Sequence, residues 1–200
     1  GVVLAASESS DVNTNFVALE AAHNAVLTAV ASVLDKSGVP GERVAHFVSS
    51  LVAAHFDTAL FRGLLPRAER HTYTERDVVF ARAGLYAPHG VAVVAATGAT
   101  AWARRADDDR QFACGGWGSL LGDEGSAYAV GLRLLRASTR LYEGRLTTPS
   151  RIVEVLRKRF GLSDAGFRGE LCNLAYQQGL TRAEIAGLAP IATRLAQEGD

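Results

Sequence analysis

The chain has 200 residues, of which 48% are hydrophobic and 21% are charged, a composition typical of a globular protein and not of a disordered or fibrous one. Its 21 basic residues balance its 21 acidic residues, so no basic stripe indicates a nucleic-acid partner. Two cysteines are too few for a disulfide framework, and no apolar run reaches the roughly 18–20 residues of a membrane helix. We therefore expect a cytoplasmic protein that neither spans a membrane nor carries a signal peptide.

Strand and helix patterns alternate through the first half of the chain. Apolar residues recur at helical spacing in some segments, and β-branched or alternating residues mark others. The predicted strands cover residues 2–6, 43–51 and 70–74, and the predicted helices cover residues 16–35, 56–65 and 76–86. The second of these helices is expected to stop at Pro66, which cannot continue a helix.

The second half begins with a hairpin pattern and continues as helices. Residues 91–95 form an apolar run of the buried-strand kind, residues 100–104 are its predicted returning arm, and residues 106–110 a charged loop tip. The predicted helices that follow cover residues 123–142, 150–160, 167–178 and 182–197. This order predicts an α/β fold with a helical C-terminal part, divided into domains at 1–88 and 89–200.

A glycine-rich stretch, CGGWGSLLGDEGSAY from Cys114 to Tyr128, stands directly before the predicted helix of the second domain. Its glycines indicate a backbone that bends sharply or approaches another group closely. Asp123 and Glu124 fall where the first helical turn would begin. They either complement the helix dipole or contact a ligand, and both interpretations stay open.

Three further positions combine a structural and a functional interpretation. Thr74 and Asp77 have the spacing of a helix capping box, although a carboxylate there could also serve as a general base. The sequence Ala96-Thr97-Gly98-Ala99 after a buried strand could be a plain hairpin turn or a phosphate-binding turn. Asn15 precedes the first long helix, where asparagine commonly caps helices or forms turns.

The stretch GGWGSLLGDEGSAYAVG is similar to the signature of N-acetylglucosamine kinases and their BadF/BadG/BcrA/BcrD ATPase relatives. The resemblance implies an α/β fold with actin-like, RNase H-like lobes. It also implies that the glycine-rich loop binds a sugar, together with an asparagine before the first helix. The implied sugar-binding residues are Gly116, Trp117, Gly118, Asp123 and Asn15, with Asn13 as the competing candidate for the last.

The same resemblance implies ATP-dependent phosphorylation of an amino sugar, with N-acetylglucosamine and its 6-hydroxyl as the expected acceptor. Asp77 corresponds to the catalytic base, and Thr97 and Gly98 to the turn that grips the ATP phosphates, with Mg²⁺ as the counter-ion. The family has GTGS at this turn, whereas this chain has Ala96 and Ala99 at its first and last positions. A homodimer is common in the family and is an open expectation here.

The substitutions in that turn leave two other classes of function open. One is a non-catalytic sugar-binding or regulatory module derived from the kinases. The other is an ATPase that energises a partner enzyme, which is disfavoured because no iron–sulfur cysteine pattern is present. We also expect the chain to be the central part of a longer protein, since the family's first phosphate hairpin and its adenosine segment have no counterpart in residues 1–200.

No metal site is expected from the sequence. The histidines show no ligand spacing and are interpreted as structural or surface residues. They are His23, His46, His55, His71 and His89.

Overall fold

The structure is a computed structural model that describes residues 1–10, 12–14, 16–50, 58–84 and 89–200. The chain divides into two compact units, Gly1–Pro88 and His89–Asp200. Among the described residues, no helix combines the length and the apolar character that crossing a membrane requires.

The N-terminal unit begins with a segment that has neither helix nor strand at residues 1–9, and a long helix follows further along the chain. The helix α1, Leu19–Ser37, ends at Gly38, whose positive φ of 64° allows its N–H to donate to the carbonyl of Asp35. The predicted strand at residues 2–6 is wrong. Those residues are not in a strand, because no strand in the described part of the chain pairs with them and backbone pairing is what makes an extended segment a strand.

Two short parallel strands follow, β1 (His46–Ser49) and β2 (Glu69–Thr72). The 3₁₀ helices Gly41–Arg43 and Thr58–Gly63 precede and connect them. In place of the α-helix predicted at 56–65, the described part of that segment contains the 3₁₀ helix Thr58–Gly63. The helix α2, Glu75–Arg82, comes directly after β2.

The core of this unit is built around Phe61, which is fully buried with Leu65 and Ala68. Phe47 of β1 packs on the Phe61 ring, with the ring centroids 4.5 Å apart. Partly buried apolar residues of α1 and the connecting segments complete the cluster: Val26, Leu27, Val30, Leu34, Val44, Leu60 and Leu64. Because side chains alternate along a strand, one face of β1 is half-buried against this core and the other face is exposed.

The C-terminal unit begins with an antiparallel sheet in the order β3-β4-β5, comprising Gly90–Ala95, Ala99–Arg104 and Gln111–Gly115. Ala95 pairs with Ala99, which leaves residues 96–98 as the tight turn between β3 and β4. The sequence pattern predicts no strand at β5. It forms because β4 offers it an antiparallel partner, and the turn between the two strands is closed by Arg104, whose Nε donates to Asp109 Oδ1 at 2.6 Å.

Five α-helices and a π-helical segment complete this unit. They are α3 (Ala127–Tyr142), α4 (Ile152–Phe160), α5 (Phe167–Cys172), the π-helical segment Asn173–Gly179, α6 (Arg182–Ala186) and α7 (Ala189–Gln197). Leu134, Leu156 and Leu188 form their buried core.

Two of these helical predictions need correction. Residues 167–178 are not one α-helix, because α5 passes into the π-helical segment at Asn173. Residues 182–197 form two helices, α6 and α7, and the second carries Pro190 near its start. Proline has no N–H to donate to the preceding turn and is tolerated only there, so a new helix begins at this point.

Candidate functional site

The glycine-rich loop between β5 and α3 is bent by left-handed backbone at several glycines. Gly115, Gly116, Gly118 and Gly125 have φ values of 75°, 73°, 81° and 80°, a region that other residues rarely adopt. Gly116 donates its N–H to the carbonyl of Ala99 at 3.0 Å, and a Cβ atom on it would lie 3.1 Å from Thr100 Oγ1. The loop is thus fastened to the start of β4.

Asp123 joins this loop to the β3–β4 turn. Asp123 is only 4% exposed. Its φ of 64° places its backbone in the left-handed region, which aspartate adopts more readily than most residues. Its Oδ1 accepts the N–H of Ala99 at 3.2 Å, and its Oδ2 lies 3.4 Å from Nη2 of Arg182. The expectation that Asp123 lies in the first helical turn is wrong, because α3 begins at Ala127.

The first turn of α3 is also fastened to the β3–β4 turn. Ser126 caps the helix, since its buried Oγ accepts the N–H of Ala129 at 3.1 Å. The N–H groups of Ala127 and Tyr128 donate to the carbonyls of Ala96 and Thr97 at 2.9 and 3.3 Å. These two N–H groups at the start of the helix are therefore already hydrogen-bonded within the protein and do not form an anion-binding site.

The β3–β4 turn keeps two donors free. Ala96 donates its N–H to the carbonyl of Gly98 at 2.8 Å, and Ala99 donates to Asp123. The N–H groups of Thr97 and Gly98 donate to no group in the described part of the chain. Two successive unengaged N–H groups in a tight turn are a favourable arrangement for binding an anion.

The exposed tip of the loop is apolar. Trp117 is 74% exposed, and Leu120 and Leu121 are exposed as well. The structure thus brings the predicted residues Gly116, Trp117 and Gly118 into one loop with Asp123. An exposed indole beside buried polar groups can pack on the apolar face of a ligand while the polar groups fix its hydroxyls.

Arg182 belongs to this cluster, and the sequence analysis did not find it. It is the first residue of α6, its guanidinium approaches Asp123, and it lies 5.6 Å above the centre of the Tyr128 ring. Arg182 and Asp123 are 59 residues apart in the chain. No local pattern links positions so distant, so only the packing of α6 on α3 reveals the pair.

Asp77, the predicted base, lies in the N-terminal unit at the start of α2. Its Oδ2 accepts the N–H of Thr74 at 2.9 Å and the Thr74 hydroxyl at 2.6 Å, while its own N–H donates to Thr74 Oγ1 at 3.2 Å. The capping box is therefore present. The hydrogen bonds from the Thr74 side chain and backbone lower the pKa of Asp77 from its usual range. The carboxylate is ionised at neutral pH, and its side chain is 38% exposed.

The predicted sugar ligand Asn15 lies outside the described residues, so the structure gives no geometry for it. The competing candidate, Asn13, lies in the segment before α1. Its carbonyl accepts the N–H groups of Phe16 and Val17 at 2.9 and 3.1 Å. Asn13 thus has a backbone role in the turn that leads to this helix.

A sequence profile of the BadF/BadG/BcrA/BcrD ATPase family matches residues 1–200. The chain belongs to this family. The predicted membership is confirmed.

A curated relative and two solved structures resemble the chain. An N-acetylmuramic acid/N-acetylglucosamine kinase of Clostridium acetobutylicum is 28% identical over 120 residues, which is 58% of this chain and 37% of the relative. Proteins of Chromobacterium violaceum and Porphyromonas gingivalis, assigned as N-acetylglucosamine kinases, superpose with TM-scores of 0.65 and 0.61 at 20% and 21% identity. They cover 94% and 84% of this chain.

These structural likenesses confirm the predicted α/β, actin-like fold. The chain spans 37% of the curated relative's length and 65% and 58% of the two solved chains. At about one-fifth sequence identity, the solved structures establish the fold alone, and the residues of the site carry the argument on function.

Proposed function

We propose that the protein is an ATP-dependent sugar kinase that phosphorylates an amino sugar, with N-acetylglucosamine and its 6-hydroxyl as the first choice of acceptor. The observation that carries the proposal is Asp123, which fastens the glycine-rich loop to the β3–β4 turn. One carboxylate thus holds a segment suited to a sugar next to a turn suited to a phosphate. The kinase named among the relatives supports the same class of reaction.

The sugar side of the proposal rests on the loop from Gly115 to Ser126. Trp117 offers an exposed indole face for the apolar side of a sugar ring. An ionised carboxylate has about four acceptor positions, and those of Asp123 that Ala99 and Arg182 leave unused can accept sugar hydroxyls. Gly116 and Gly118 let the backbone approach the ring without a side chain in the way.

The phosphate side rests on Thr97 and Gly98. Their unengaged N–H groups fit an ATP phosphate, and Mg²⁺ would enter with the nucleotide as the counter-ion of its phosphates. Ala99 has no hydroxyl group, and its N–H donates to the carboxylate of Asp123. The turn therefore contributes two backbone donors, where a serine at position 99 would add a third group.

Asp77 is the proposed general base. The carboxylate is ionised at neutral pH and can therefore accept the proton when the sugar hydroxyl attacks the γ-phosphate. The Thr74 hydroxyl lowers the pKa of Asp77 and so makes it a weaker base than a free aspartate. Oδ2 is held by Thr74, whereas Oδ1 accepts no hydrogen bond from the described residues and lies 4.0 Å from Arg76 Nε. In this proposal Oδ1 accepts the proton of the hydroxyl.

The test compares two capping boxes of the same kind. Thr74 and Asp77 cap α2, and Thr181 and Glu184 cap α6 with the same pattern of hydrogen bonds. In the full-length protein, Asp77→Asn should lower the turnover number by at least about 10²-fold and leave sugar affinity unchanged. Glu184→Gln loses a comparable cap and should keep turnover near the wild-type value.

Unchanged turnover in Asp77→Asn would overturn the assignment of the base. Equal losses in both variants would mean that only the capping of the helices matters. If the wild-type protein binds the sugar calorimetrically but never phosphorylates it, the protein is instead the non-catalytic sugar-binding module that Ala96 and Ala99 suggest.

A further inference from the structure

Three metal-binding side chains of the N-terminal unit converge, although the sequence shows no ligand spacing among them. His46 Nδ1 and His71 Nε2 are 3.3 Å apart. Glu69 Oε2 lies 3.5 Å from the first nitrogen and Glu69 Oε1 lies 3.6 Å from the second. One donor atom from each residue lies within 4.8 Å of the others.

The parallel pairing of β1 and β2 produces this arrangement. His46 is directly opposite Glu69 in the register, and His71 follows Glu69 by two residues. Residues two apart on a strand, and directly paired residues on neighbouring strands, point to the same face of a sheet. Phe47, on the other face, packs into the core. The side chains of His46, Glu69 and His71 are 63%, 67% and 30% exposed.

We propose that His46, Glu69 and His71 bind one Zn²⁺ ion. Ligands about 2.0–2.1 Å from a tetrahedral zinc ion are roughly 3.3–3.4 Å from one another. The two ring nitrogens already stand at that separation, at 3.3 Å, and each has one of the two Glu69 oxygens 3.5 or 3.6 Å away. Two imidazoles and one carboxylate are an established zinc donor set that leaves a coordination position open to water.

The donor types set the class of metal. Imidazole nitrogen suits zinc and its transition-metal neighbours, whereas Mg²⁺ and Ca²⁺ prefer oxygen ligands. The site is thus distinct in chemistry from the Mg²⁺ that accompanies ATP. It does not depend on the proposed kinase activity. Because the ligands come from both strands, bound zinc fastens β1 to β2 and stabilises the folded chain.

The rival interpretation is a metal-free cluster. In that case the two imidazoles share a hydrogen bond, and Glu69 forms an ion pair with whichever imidazole is protonated. Both interpretations fit the same atoms, and metal binding separates them.

The test is calorimetric titration of the tag-free, chelator-stripped chain with Zn²⁺. We expect one zinc ion per chain with a dissociation constant in the micromolar range. His46→Ala, His71→Ala and Glu69→Gln should each weaken binding by more than about tenfold. His89→Ala is the matched control, because it removes one partly exposed histidine from the other unit. It should bind zinc as the wild type does, and excess Mg²⁺ should not compete.

No zinc binding by the wild-type chain, or an affinity unchanged in His46→Ala or His71→Ala, would overturn the proposal. A second measurement guards against a variant that folds poorly. Co²⁺ bound to the wild-type chain should give the visible absorption of a four-coordinate ion, and zinc should raise the thermal unfolding temperature of the wild type and of His89→Ala but not of His71→Ala. Circular dichroism confirms that each variant is folded.

Discussion

The carboxylate of Asp123 lies directly against Gly98, where an added Cβ atom would be 3.1 Å from both carboxylate oxygens. Such a separation is tighter than ordinary van der Waals contact. The third residue of the β3–β4 turn is therefore small because a buried side chain occupies the space beside it. This contact makes the turn and the glycine-rich loop a single unit.

Gly98→Ala should displace Asp123 by a few tenths of an ångström. We expect a loss of about 1 kcal/mol in the free energy of unfolding, and a fall in sugar phosphorylation of about tenfold because the reacting groups are misplaced. Chemical denaturation and a kinase assay measure the two effects. Gly63→Ala is the control, since its added Cβ meets no atom within 4 Å. Equal effects in both variants would contradict the account.

Arg182→Ala should destabilise the protein, because it removes a charged partner from the buried carboxylate of Asp123. We expect a loss of roughly 2–3 kcal/mol in the free energy of unfolding, as for a hydrogen bond to a charged group. Arg105→Ala removes an arginine from the exposed hairpin tip and should cost less than about 1 kcal/mol. If urea denaturation shows the same small loss of unfolding free energy for Arg182→Ala and Arg105→Ala, the Asp123–Arg182 pair does not stabilise the loop.

Gly131→Ala should push α3 away from α6. Gly131 is buried in α3, and a Cβ atom on it would overlap the carbonyl oxygen of Ile185. Overpacking against backbone should cost about 2 kcal/mol in the free energy of unfolding. Gly169→Ala, in the helix α5 with open space around it, should instead stabilise by about 0.5–1 kcal/mol. Thermal unfolding measures both effects. A Gly131→Ala variant as stable as the wild type would contradict the predicted overpacking against Ile185.

The capping carboxylate of α2 should stabilise the protein only while it is ionised. Thr74 lowers the pKa of Asp77 from its ordinary value of 3.8. A group whose pKa falls on folding stabilises the protein above that ordinary value, and this contribution is lost as the pH falls through the folded-state pKa. The stability difference between wild type and Asp77→Asn should therefore be constant from about pH 7 to about pH 5 and shrink below about pH 4. If the stability difference between wild type and Asp77→Asn did not change with pH, the ionised carboxylate of Asp77 would not be what stabilises the helix.

The sequence predicted the elements whose cause is local. The hairpin of β3 and β4, the capping box at Thr74 and the family motif around Asp123 are all visible in consecutive residues. The sequence predicts Asp123 in a helix because acidic residues favour first turns, whereas its left-handed backbone accompanies contacts with Ala99 and Arg182.

The features that sequence reasoning missed depend on distant pairing. The strand β5 exists because β4 offers it a partner, whereas residues 2–6 have no strand partner in the described part of the chain. His46 and His71 are 25 residues apart, so their meeting follows from the register of β1 and β2 and not from any spacing motif. Arg182 likewise contacts Asp123 through the packing of α6 on α3, which no spacing motif in the sequence indicates.

The most direct test of the central claim is ADP release by the full-length protein with ATP and Mg²⁺, measured with and without N-acetylglucosamine. A sugar kinase should release ADP only when the sugar is present, with one sugar phosphate formed for each ADP. ADP release that is equal with and without amino sugars, or no ADP release with any of them, would contradict the proposal.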